Sequence, residues 1–155
     1  MGGLETSVSE PCERETVPSA LSDRLGYLLG QTHLAHRRVA EAQLASLELG
    51  VKEFGALSVL ADEGPFSQQR LGERMRVDRT TMVTVVDELE RKGLAERRRN
   101  AEDRRAYALQ ATGKGRRVLS RANEAVERAE AEFLARIPAR EARRLKEILR
   151  RLVSP

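Results

Sequence analysis

Two short amphipathic segments, separated by a turn that leaves them no room to drift apart, constrain this chain more than any other feature. The first, QQRLGERM, follows Ser67, whose hydroxyl suits a helix start, and presents Leu71 and Met75 four residues apart. It is too short to stand alone. The second runs from about Arg79 to Lys92 and sets Met82, Val85, Val86 and Leu89 on one face at i, i+3, i+4 and i+7, leaving Thr80, Thr84, Asp87 and Arg91 on the other. Between them stands the four-residue break Arg76-Val77-Asp78-Arg79. The carboxylate of Asp78 is placed to cap the second helix, and Gly93 is placed to stop it. Helices joined in this way form a helix-turn-helix, whose second helix can enter the major groove of a duplex.

The flanking segments extend the pattern. From Leu21 the apolar positions Leu25, Leu28, Thr32 and Val39, with Leu29 and Leu44 beside them, have the spacing of a long helix. Val51 to Ala61 reads as a shorter one that Asp62-Glu63-Gly64-Pro65 ends, with Gly64 expected in the left-handed terminal position. After Gly93, Leu94 to Arg98 and Arg105 to Ala111 read as two strands joined by a charged loop; a hairpin directly after a helix-turn-helix is a wing. Thr112 then caps a long helix carrying Leu119, Ala122, Val126, Ala129 and Phe133 as far as Ile137. Pro138 breaks it, and a final helix from Ala139 to Val153 aligns Leu145, Ile148, Leu149 and Leu152. The expected fold is mainly α with a small β-hairpin. Aromatic residues make up only 3% of the chain and tryptophan is absent, so the core is expected to be aliphatic, which points away from an all-β fold.

The net charge of +4 is modest, but its placement is not. Between Arg91 and Arg117 stand ten basic and three acidic residues, an excess larger than that of the whole chain, so the remainder is net acidic. Such clustering beside a groove-entering helix is what phosphate binding requires, because each neutralised phosphate releases condensed counterions. An arginine at the tip of the hairpin can reach the minor groove while the helix occupies the major groove. Asp103 fits there as the partner that orients a neighbouring arginine.

The stretch VDRTTMVTVVDELERKGLAERRRNAEDRRAYALQATGKG resembles the core of the MarR family of winged-helix bacterial transcription regulators. The junction DELERKGLAER, the wing motif Asp103-Arg104-Arg105 and the closing Leu109, Thr112 and Gly115 carry the likeness. It extends over about Leu21 to Val153. The resemblance implies a sequence-specific regulator of transcription, most often a repressor, that binds a pseudo-palindromic operator as a homodimer. The winged helix-turn-helix would occupy about 51–112 and the dimerisation helices about 21–47 and 113–153, in a single domain of residues 21–155 behind a flexible tail, residues 1–20. The apolar face of the last helix supports dimerisation on its own account, although burial against its own domain would also explain it.

Carried onto this chain, the resemblance assigns base reading to Thr80, Thr81 and Thr84, with Val83 against a thymine methyl group and Arg79 at a guanine edge or a phosphate. Threonine is common in the family where this chain has Val83, and a basic residue where it has Thr84. In the wing, Arg105 and Asp103 become a structural and DNA-contacting pair, with Arg104 and Arg99 as further backbone or minor-groove contacts. Arg76 stands where glycine is common. Either it bears a left-handed conformation at a cost of about 1 kcal/mol, or the turn is built without one.

Family members commonly respond to small anionic aromatics or to oxidants bound between the dimer helices and the winged lobe. Tyr27, Gln31, His33, His36, Arg37 and Phe54 are the candidate effector-binding residues. The alternative is a DNA-binding regulator or architectural protein without an effector, and a further one is a helical module whose hairpin binds acidic proteins. The single cysteine, Cys12, excludes an internal disulfide and lies outside the helix where peroxide-sensing relatives carry theirs; Gly26 stands at that place. Two histidines and one cysteine offer no catalytic constellation, so no enzyme activity, cofactor or metal is expected. With no apolar run of membrane-spanning length and no leader-like N-terminus, a cytoplasmic protein is expected.

Overall fold

The computed structural model describes residues 18–99 and 107–154, and by its internal contacts the chain divides after Leu34. In the first unit the described residues open with a turn in which the Leu21 amide donates to the Pro18 carbonyl at 2.9 Å. This turn delays the first helix: α1 spans Leu25–Leu44, starting later than the apolar spacing from Leu21 suggests. Within the first unit Leu25, Leu28, Leu29 and Leu34 are all exposed.

The second unit contains the end of α1, then α2 (Val51–Asp62), α3 (Gln68–Met75), α4 (Arg79–Arg91), β1 (Ala95–Arg99), β2 (Tyr107–Ala111), α5 (Gly113–Leu134) and α6 (Ala139–Val153). All three expected caps form. Ser67, Asp78 and Thr112 accept from the amides of Arg70, Thr81 and Gly115 at 3.2, 2.9 and 2.9 Å. Leu44, Leu57, Leu60, Leu71, Met82, Val86, Leu89 and Leu109 are the largest side chains fully buried, so the core is aliphatic as the composition requires. It lies among α2, α3, α4, the hairpin and the first half of α5.

The hairpin is antiparallel, with Ala95 opposite Ala111 and Arg97 opposite Leu109. Phe66, just ahead of α3, exchanges backbone hydrogen bonds with Leu109 at 3.1 and 2.7 Å, which ties the approach to α3 into the wing. Gly93 ends α4 with a positive φ of 69°, as expected of a glycine stop. Gly64 departs from expectation. It is not among the described glycines with positive φ; Glu63 closes α2 in a right-handed conformation, and Gly64 precedes a cis proline. Its lack of a side chain is required by proximity, since a Cβ there would lie 2.4 Å from the Leu60 carbonyl oxygen.

α6 buries none of its residues completely: Ile148 is 40% exposed and Leu152 66% exposed. The chain's own second unit therefore does not cover that apolar face. Among the described residues no helix is long and apolar enough to cross a membrane.

Candidate nucleic-acid interface

α3 and α4 are joined through Arg76, which does adopt the left-handed conformation (φ 53°, ψ 42°). Its amide donates to the Glu73 and Gly72 carbonyls, and the Val77 amide returns to Gly72 at 2.9 Å, so the last turn of α3 closes on itself. Gly72 is buried there, 3.7 Å from Met82 by the Cβ it lacks. The two helices border a groove of about 730 Å³ lined by Gln68, Gln69, Glu73, Arg76 and Arg79.

With Met82, Val85, Val86 and Leu89 all buried, the rotation of α4 about its axis is fixed, and the opposite face is presented outward. Arg79, Thr80, Val83 and Thr84 are exposed on it; Thr81 is half-buried, and its amide is the donor in the Asp78 cap. The Thr84 hydroxyl donates weakly, at 3.4 Å, to the Thr80 carbonyl one turn back. Hydrogen bonds from Thr81, from its backbone first, hold the Asp78 carboxyl below the usual carboxylate range. Asp78 thus caps α4 as an anion, the form the helix dipole favours at that end.

The basic cluster divides into cations with different duties. Lys92 is half-buried; its ammonium group donates to Glu53 at 2.6 Å and to the Glu48 carbonyl at 2.7 Å, joining the end of α4 to α2. Lys114 caps the Lys92 carbonyl at 2.7 Å, and Arg116 donates to the Ala61 carbonyl at 2.8 Å. Arg98 pairs with Glu96 at 2.9 Å. Glu96 also accepts from Gln110 across the hairpin, and that hydrogen bond, ahead of the Arg98 charge, lowers its pKa. Arg97 donates to Gln68 at 3.1 Å and lies 3.0 Å from Glu90 and 3.5 Å from Asp87. Counting charge along the sequence assigns all of these to phosphate, whereas the fold engages them internally. One signal for Arg97 was available: strand alternation puts it on the face of buried Ala95, toward α3 and α4.

Of the expected wing contacts, Arg99 ends β1 and is exposed. Asp103, Arg104 and Arg105 lie outside the described residues. The expected effector residues fall in both units of the chain. Tyr27, Gln31 and His33 belong to the first unit, Tyr27 half-buried and the other two exposed. In the second unit His36 packs edge-on against Phe133 with centroids 5.4 Å apart, and Arg37 pairs with Glu41 at 2.7 Å on its own helix. Phe54 is half-buried against the winged core. Among the described residues no group of three or more His, Cys, Asp or Glu side chains is placed to hold a metal.

Comparison with known proteins agrees with this geometry. The MarR family model matches residues 47–106, which take in α2, α3, α4 and β1. A candidate transcriptional regulatory protein for the hcr operon of Thauera aromatica is 36% identical over 140 residues, covering 89% of this chain and 84% of that protein. The MarR family protein Rv2887 of Mycobacterium tuberculosis, solved in complex with DNA, superposes with a TM-score of 0.74 at 31% identity, covering 86% of this chain and all of that one. The same protein solved with p-aminosalicylic acid gives 0.73 at 32% identity over 84% of this chain and 98% of that one. A winged helix-turn-helix with its aliphatic face buried and its threonine face open, matched over most of its length by such regulators, places this chain in the MarR family of transcriptional regulators.

Proposed function

We propose that the protein is a cytoplasmic, sequence-specific repressor that binds a pseudo-palindromic operator in duplex DNA as a homodimer and is released by a small anionic or aromatic effector. The observation that carries this reading is the outward face of α4, where Arg79, Thr80, Val83 and Thr84 stand together on a helix whose other face is locked into the core. Hydroxyl groups and a methyl-bearing side chain suit base edges and thymine methyl groups in the major groove. Arg99, with Arg104 and Arg105 beyond it and Asp103 orienting them, then serves the backbone or the minor groove. The uncovered leucines of α1 and the open face of α6 support a second copy as their cover, and a dimer supplies the two half-sites an operator needs. Effector release rests on resemblance alone, with Tyr27, Gln31, His33, His36, Arg37 and Phe54 as its candidates. The reading assigns the chain no catalysis.

The test begins with selection of bound fragments from genomic DNA, starting beside the protein's own gene. On the best site, Thr80→Ala or Thr84→Ala is expected to cost about 1–3 kcal/mol, and less on random duplex, because base readout is lost while phosphate contacts persist. Equal losses on both substrates would refute base reading by α4. Replacing Ile148 and Leu152 together with lysine is expected to shift the protein to monomer in sedimentation and weaken operator binding with it. Thermal-shift screening with phenolic acids and purines, followed by competition with operator, separates an effector-gated repressor from one without an effector.

A further inference from the structure

Arg97 sits where three elements meet. It leaves β1 on the side of buried Ala95, and its guanidinium donates to Gln68 of α3 at 3.1 Å while pairing with Glu90 and Asp87 of α4 at 3.0 and 3.5 Å. Gln68 lines the groove between α3 and α4. Asp87 is exposed, one helical turn beyond Val83 and Thr84 on the proposed reading face. A carboxylate there would repel an approaching phosphate unless a cation covers it. A planar fork with several donors can hold two carboxylates and an amide at once; a single ammonium cannot reproduce that arrangement.

From this junction we infer that Arg97 is a positioning residue for DNA recognition and not a phosphate ligand: it fixes α4 against α3 and the wing strand and neutralises Asp87 at the edge of the reading face. The inference rests on the repressor reading above. Because the groups involved touch one another, their substitutions should be coupled, whereas an independent phosphate contact should add to the effect of a change at Asp87.

The experiment is a double-mutant cycle on the selected operator, measured over a range of salt, with melting curves recorded for each protein. Arg97→Ala is expected to lower affinity about tenfold, within the coupling expected of neighbouring charged groups, and to leave the salt slope nearly unchanged. Adding Asp87→Asn to it is expected to restore most of the loss, since the uncovered charge is then gone. Arg97→Lys, which keeps the charge but not the fork, is expected to recover only part of the lost affinity. A slope reduced by about one in Arg97→Ala, with no rescue by Asp87→Asn, would make Arg97 a phosphate ligand and overturn the inference. So would full operator affinity in Arg97→Lys. If Arg97→Ala melts early, Arg97→Lys and the Asp87→Asn rescue still decide the matter at a temperature where all variants are folded. A wild-type protein that retains no duplex sequence at all would refute the repressor reading and this inference with it; wild-type binding with additive substitutions refutes the inference alone.

Discussion

Two glycines in the first turn of α5, separated by one lysine, should respond to alanine with opposite signs. At Gly115 a Cβ would stand 2.0 Å from the Leu94 carbonyl oxygen and 3.1 Å from Leu57 Cδ1, about 1 Å inside any tolerable approach to the oxygen. That oxygen cannot simply swing away. It accepts from the Thr112 amide at 3.0 Å, while the Thr112 hydroxyl donates to the neighbouring Gly93 carbonyl at 2.8 Å and its oxygen caps the Gly115 amide at 2.9 Å. Accommodating the methyl group means moving the start of α5 off the end of α4, an overpacking cost of about 3 kcal/mol. Alanine recovers about 1 kcal/mol of backbone entropy in a helix, leaving Gly115→Ala about 2 kcal/mol less stable. At Gly113 the new Cβ meets only the end of the Arg117 side chain at 3.7 Å, so Gly113→Ala keeps the entropic gain of about 0.5–1 kcal/mol and pays nothing against it. At fixed protein concentration, melting followed by circular dichroism should place Gly115→Ala about 4–8 °C below wild type and Gly113→Ala at or above it. If Gly115→Ala melts with Gly113→Ala, α5 does not approach Leu94 as described, and the reason given for the glycine in this motif fails.

Asp78 gives a pH-dependent expectation. Its folded pKa is depressed below the ordinary 3.8, so its stabilising contribution is complete above that value and is lost as pH falls through the lower folded pKa. Urea midpoints of wild type and Asp78→Asn, which keeps a capping oxygen but not the charge, should therefore differ most near neutral pH and converge in acid; a constant difference would contradict an anionic cap. Arg76→Gly should raise the melting temperature, because it removes a left-handed non-glycine residue costing about 1 kcal/mol. If the arginine is kept for phosphate, the same variant should show a salt slope lower by about one.

Local chemistry made most of the fold legible. Ser67, Asp78 and Thr112 were identifiable as caps because a short oxygen-bearing side chain before an apolar period has few other uses. The buried face of α4 followed from spacing alone. Strand ends fell within a residue or two, Ala95–Arg99 where Leu94 to Arg98 was expected. The misplaced start of α1 and the role of Gly64 share a cause: each depends on where one carbonyl points, Pro18 in the first case and Leu60 in the second, and sequence period does not report it. The basic cluster was legible in residue type but not in allegiance. Lys92, Arg97 and Arg116 look like solvent-facing cations in a charge count, yet their partners, Glu53, Gln68 and the Ala61 carbonyl, lie 29 to 55 residues away and become visible only when the chain is folded.

Six of the thirteen residues of α4 are threonine or valine, an unusual choice for a helix. Branching at Cβ restricts each to few side-chain rotamers and weakens the helix considered by itself, so α4 exists because its core face is packed. The return is stiffness. Fixing a valine or threonine against a partner forfeits little rotamer freedom, whereas immobilising an arginine or lysine forfeits about 2 kcal/mol. The proposed reading face of Thr80, Val83 and Thr84 would therefore behave like a cut key: complete before contact and unable to lengthen to reach a misplaced base. On the proposed reading, discrimination between sites would reside in how closely the duplex can fit itself to the helix, so operators that differ only in flexibility, with identical contacted bases, should be told apart by this protein.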